Sequence, residues 1–121
     1  MTDWKWLEST KKLQREAYGF DADAMTTEER AQSVKENVLA LVDEAMEVLH
    51  EVKWKYWSHD EPFVNRIEVR NECVDVGHFL ANILVAIGVT DEEWETAYQW
   101  KQDVNRARQR DGYHVKEKPR G

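Results

Sequence analysis

Helix-breaking residues are nearly absent from this chain, and nothing else in it constrains the fold as strongly. The 121 residues include five glycines and two prolines, and the prolines stand at Pro62 and Pro119. Proline removes a backbone donor and glycine raises the entropic cost of a helix, so their scarcity leaves long stretches free to be helical. The existing breaks divide the chain into four segments. A first helix is expected from about Asp3 to Tyr18, capped by Thr2 or Asp3 and ended by Gly19-Phe20-Asp21-Ala22-Asp23. A second begins after Thr26, where Thr26 and Glu29 have capping-box spacing. It carries Val38, Leu41, Val42, Ala45, Val48, Leu49 and Val52 at helical period toward Trp57.

A third helix, from about Asn65 to Ile87, is apolar on most sides after Cys73, as the central helix of a bundle should be. Gly88 stops it, Thr90 and Glu93 repeat the capping spacing, and a fourth runs from about Asp91 to Arg110 before Gly112. The expectation is an all-α, four-helix bundle forming one domain over residues 1–113, with a basic tail over 114–121. So small a domain buries a limited share of its surface, which favours assembly as a homo-oligomer, a dimer or a tetramer.

The formal charge of −7 argues against a surface that coats nucleic acid, because that role needs a basic patch to displace counterions from phosphates. One cysteine, Cys73, leaves no disulfide framework and no paired-cysteine metal motif. The N-terminus lacks the basic start and apolar run of a secretion signal, and no apolar stretch approaches membrane-spanning length. A cytoplasmic protein with no membrane partner is the expectation.

Glu44 and Glu47 stand three apart on the second helix, and Glu72 and Asp75 three apart on the third, so each pair projects from one helix face. Antiparallel packing of the two helices brings four carboxylates together, a ligand set suited to Mg²⁺ or Mn²⁺. Spacing alone is weak, since 24 acidic residues in 121 give about five such pairs by chance. An acidic solvated face therefore remains an alternative for Glu44 and Glu47. Glu72 and Asp75 differ, because they share a side with Val76, Phe79 and Ile83, where an uncompensated carboxylate costs several kcal/mol. A cation, or salt bridges to Arg66 or Arg70, can compensate them. Lys101, Asn105 and Arg108, at offsets of four and three, line one face of the fourth helix, as a phosphate clamp or as ordinary charged surface. His78, among apolar neighbours, reads as a hydrogen-bonded core histidine.

Four blocks together carry a resemblance. Ala40-Leu41-Val42-Asp43-Glu44-Ala45-Met46-Glu47, Lys55-Tyr56-Trp57-Ser58, Glu72-Cys73-Val74-Asp75-Val76-Gly77-His78-Phe79-Leu80 and the segment from Tyr98 to Tyr113 occur in the order of the dimeric dUTPase family, within the all-α NTP pyrophosphatases. The chain resembles that family from about Leu13 to Tyr113. The resemblance implies that Glu44, Glu47, Glu72 and Asp75 bind Mg²⁺ or Mn²⁺, and that Glu44 also activates the attacking water. It implies triphosphate contacts from Lys101, Asn105, Arg108 and Tyr113, with Lys55 beside them. Gln14 is then the residue that reads the base, and Trp54 and Trp57 stand where the family places an aromatic near the base, with core packing or a dimer interface as their alternative role. The implied reaction converts dUTP to dUMP and pyrophosphate. MazG-like relatives with the same metal motif accept other nucleotides, so another nucleoside triphosphate is the alternative substrate. A helical interaction module docking through its acidic faces, without metal, is the alternative of another class.

Overall fold

The computed structural model describes residues 4–52 and 64–112. Within them the chain forms α1 (Trp6–Tyr18), α2 (Thr27–His50), α3 (Arg66–Ala86) and α4 (Asp91–Asp111), with one 3₁₀ turn at Ala22–Ala24 after α1. The protomer is all-α, and each of the four expected segments is a helix. Trp54, Lys55, Trp57, Tyr113 and the 114–121 tail lie outside the described residues.

The ends follow from local chemistry. At the start of α2, Thr26 Oγ1 accepts from the Glu29 amide at 3.1 Å while Glu29 Oε1 accepts from the Thr26 amide at 2.9 Å, a complete capping box. Asn65 caps α3 by accepting from the Glu68 amide, and Thr90 caps α4 by accepting from that of Glu93. Gly19, at φ +63°, ends α1. Its amide bonds the Arg15 carbonyl and that of Phe20 bonds the Gln14 carbonyl, a closure that a β-carbon would strain. α1 starts at Trp6 rather than Asp3, and its N-cap, Lys5, offers no side-chain acceptor. The cap comes instead from a distant residue. Asp91 accepts the Leu7 amide on Oδ1 at 2.8 Å and the Glu8 amide on Oδ2 at 3.1 Å.

α3 is the central element, packed along α2 on one side and α1 on the other, while α4 bends away from it by 109° and rests more lightly on α1. The α1 to α4 contact includes an edge-on pair of Trp6 and Trp94, their rings 5.9 Å apart. Arg30 Nη1 donates to the Ala86 carbonyl at 2.6 Å and ties the start of α2 to the end of α3. The buried residues are Leu7, Ala22, Ala81, Leu84, Val85 and Ala86, with Trp6, Met25, Leu80, Val89 and Trp94 packed around five of them. This core sits where α1, the 3₁₀ turn and the C-terminal half of α3 meet.

No residue of α2 is buried. Its apolar set is wider than one partner helix can cover. Val38, Leu39, Val42 and Met46 all remain exposed, Leu39 at 71%, and helical geometry puts them on the side opposite Asn37 and Glu44, which face α3. Among the described residues no single helix is long and apolar enough to cross a membrane.

Candidate active site

α2 and α3 run antiparallel, and their register fixes which side chains meet. Val52 and Val64 form an isolated antiparallel bridge just beyond the facing ends of the two helices. Glu44 lies eight residues before the bridge and Glu72 eight after it, so equal helical rise brings them level. Ligand oxygens of Glu44, Glu72 and Asp75 accordingly lie within 4.8 Å of one another, with Glu44 and Glu72 half-buried and Asp75 exposed.

The electrostatics match that crowding. Partial burial, and then the charges of Asp75, Asp43 and Glu47, push the Glu44 carboxyl above the ordinary carboxylate range. Partial burial, then Asp75, Glu44, Glu47 and Glu51, do the same to Glu72. Neither arginine weighed as a salt-bridge partner supplies relief: Arg70 donates to Asn71 Oδ1, and among the described residues no basic side chain pairs with Glu44, Glu72 or Asp75. Asp75 is exposed rather than on the buried side expected of it, but a mutually repelling, oxygen-only set with two of its three members half-buried is what a hard divalent cation fits.

Glu47 is the member of the expected four that stands outside this group. It is exposed and acts on the others through its charge. A second group, Glu51, Glu68 and Glu72, was not singled out from sequence, although Glu68 stands one helical turn before Glu72 and Glu51 one turn after Glu47. Glu72 belongs to both groups. Glu47 and His50 have Glu-x-x-His spacing on α2, but both are exposed and neither joins a cluster among the described residues.

Alongside the carboxylates, α1 and α3 enclose a cleft of about 710 Å³, lined by Trp6, Thr10, Gln14, Gly77, Phe79 and Asn82 among others. Gln14, expected at the base, is in this cleft. His78 lines it too and is exposed, which corrects the core reading. It shares a helix face with Val85, seven residues on, but stands before the buried stretch that begins at Ala81, where the cleft leaves it open. Gly77 has an ordinary helical φ, and a β-carbon there meets no described atom within 4 Å. Three side-chain amides cross the helices behind the cleft. Gln14 Nε2 donates to Asn82 Oδ1 at 3.1 Å, Asn82 Nδ2 to Asn37 Oδ1 at 3.1 Å, and Asn37 Nδ2 to the Ser33 carbonyl at 2.8 Å. No spacing rule pointed to Asn37 or Asn82.

The basic residues of α4 are placed differently. Lys101 and Asn105 are exposed and Arg108 is half-buried, with Lys101 Nζ 5.0 Å from the centre of the Trp100 ring. α4 makes its fullest helix contact with α1, and among the described residues neither carboxylate group draws a member from α4.

Comparison with curated proteins and with solved structures returns no match. A family model described as dUTPase matches residues 7–93, a span that holds Gln14, all the clustered carboxylates and the cleft lining apart from Trp4 and Trp6. That span covers well over half of an all-α chain, and the protein therefore belongs to the all-α dUTPase family.

Proposed function

We propose that this protein is a Mg²⁺-dependent nucleotide pyrophosphohydrolase whose substrate is dUTP, cleaved to dUMP and pyrophosphate. The observation that carries the reading is the convergence of Glu44, Glu72 and Asp75 from two antiparallel helices beside a cleft lined by Gln14. Glu44, Glu47, Glu72 and Asp75 hold Mg²⁺, or Mn²⁺ in its place. When bound, the cation neutralises charge developing on the phosphoryl oxygens and lowers the pKa of the attacking water.

The chain's own groups do the rest. Glu44, half-buried and with its carboxyl raised, orients the water and accepts its proton on a carboxylate oxygen as the bond between the α and β phosphoryl groups breaks. Lys101, Asn105 and Arg108, with Lys55 and Tyr113, supply charge and hydrogen bonds to the phosphates. Trp6 and Phe79 give the cleft apolar surface for a base, Gln14 gives it a polar reader, and Trp54 and Trp57 add aromatic surface. The exposed α2 stripe of Val38, Leu39, Val42 and Met46, together with the small core, supports a homodimer.

The test is hydrolysis of dUTP, dTTP, dCTP, dATP and dGTP by one preparation, with Mg²⁺ and with excess EDTA. The expected result is metal-dependent release of pyrophosphate with dUTP leading in kcat/KM. A purine leading the series moves the chain to a MazG-like substrate range. No cation dependence and no turnover favours the interaction module.

A further inference from the structure

The amide relay behind the cleft has a direction, and its origin is fixed. A backbone carbonyl only accepts hydrogen bonds, so the Ser33 carbonyl obliges Asn37 to present its amino group, held at 2.8 Å. Asn37 is then left with Oδ1 facing Asn82, which answers with Nδ2 and turns its own Oδ1 to Gln14. Gln14 answers with Nε2. The atom left at the end of the relay is Gln14 Oε1, which is buried and has no hydrogen-bond donor among the described residues. A buried acceptor without a donor is costly, and this one belongs to a residue lining the cleft.

We infer that Asn82 and Asn37 are positioning residues that lock Gln14 as a hydrogen-bond acceptor, so that the cleft selects a base presenting an N–H at that point. The inference rests on the nucleotide reading above and adds a specificity mechanism to it. Uracil and thymine carry an imide N3–H and meet the requirement. Cytosine presents a bare N3, which sets acceptor against acceptor, and offers its amino group only by sliding along the cleft. An unconstrained glutamine can turn its amide over and serve either base. The relay removes that freedom, since turning Gln14 over sets its oxygen against Asn82 Oδ1.

The test measures kcat/KM for dUTP and dCTP, and equilibrium binding of dUMP and dCMP by calorimetry, in wild type, Asn82→Ala, Asn37→Ala and Asn82→Asp. Loss of packing alone lowers both nucleotides together and leaves their ratio unchanged. Loss of the polarity lock lowers the uracil-to-cytosine ratio by roughly tenfold in Asn82→Ala and in Asn37→Ala. Asn82→Asp keeps the ratio, because a carboxylate can only accept from Gln14 Nε2, and its added charge acts equally on both nucleotides. Should Asn82→Ala fail to fold, Asn37→Ala carries the same readout. Wild-type ratios in both alanine variants overturn the inference and leave the pyrophosphohydrolase reading standing, as does a wild type that prefers dCTP. A wild type that binds dUMP over dCMP without hydrolysing dUTP, and loses that preference in Asn82→Ala, supports the lock while removing the enzyme. Binding of neither nucleotide overturns both.

Discussion

Asp91 is the first residue of α4, yet its carboxylate does the work of an N-cap for α1, and replacing it should be costly for a surface-accessible position. Asp91→Ala leaves the Leu7 and Glu8 amides without acceptors at 2.8 and 3.1 Å, and the Leu7 amide belongs to a buried core residue. Losing a side-chain N-cap costs about 0.5–2 kcal/mol. Removing the negative charge from a helix N-terminus adds about 0.3–1 kcal/mol. Lys5, the residue at the capping position, has no acceptor to substitute, so the two contributions should appear nearly in full, at roughly 2 kcal/mol. For a chain of this size that lowers Tm by about 8 °C. Asp91→Asn keeps one acceptor oxygen and no charge and should lose about half as much. Thermal unfolding followed by circular dichroism gives the stability. Amide exchange gives the location, since Leu7 and Glu8 should lose protection before the rest of α1. An Asp91→Ala protein melting within about 2 °C of wild type, with those amides still protected, refutes the reasoning.

Three further outcomes are expected. Glu72→Gln, in the residue common to both carboxylate groups, should reduce turnover by more than the roughly 10–100-fold typical when a residue merely supports a metal ligand, without lowering the metal-free melting temperature. Unfolding of this variant, with activity kept in the folded fraction, points to a structural ion pair instead. On pH, the raised carboxyls of Glu44 and Glu72 mean that the native metal-free protein holds these protons more tightly than the unfolded chain does. Their contribution is therefore present at acid pH and lost as pH rises through the raised values. Asp23, lowered chiefly by its Lys11 hydrogen bond, and Glu29, lowered chiefly by the Thr26 amide, act in the opposite sense and lose their contribution as pH falls. The Tm of Glu72→Gln relative to wild type isolates the first effect: the difference should grow in the variant's favour from about pH 4 to about pH 7, and saturating Mn²⁺ should remove it. A difference flat with pH contradicts the crowding. Finally, Gly77→Ala should raise stability by about 0.5–1 kcal/mol, because its φ is helical and a β-carbon meets no described atom. A fall in Tm contradicts this.

Helix positions were legible because their signals are local. Thr26 with Glu29, Asn65, Thr90 and Gly88 each mark an end within a few residues of where the helix begins or stops. The start of α1 was misplaced by its cap, since Asp91 is 84 residues from Leu7 and no local pattern reveals such a donor–acceptor pair. α2 stops at His50, seven residues short of Trp57, because apolar period continues past the point where hydrogen bonding changes to the Val52 bridge. In the site, Glu44, Glu72 and Asp75 were readable as spaced carboxylates on two helices. Glu51 and Glu68 were obscured by the general acidity of α2 and α3. The relay of Gln14, Asn82 and Asn37 gave no sequence signal at all, since isolated amides have no period and meet only when three helices pack.

α3 carries the buried core on its C-terminal half, at Ala81 and from Leu84 to Ala86, and the clustered carboxylates on its N-terminal half, at Glu72 and Asp75. This separation governs how such a protein can diverge. Most substitutions destabilise, and a lineage tolerates only those that leave it above the threshold for folding. Changes near Glu72, Asp75 or His78 fall in half-buried and exposed positions and draw little on the packing that holds the helices together. The cleft end of the fold is thus free to drift among nucleotides and cations while selection for foldedness acts on a different stretch of the same helix.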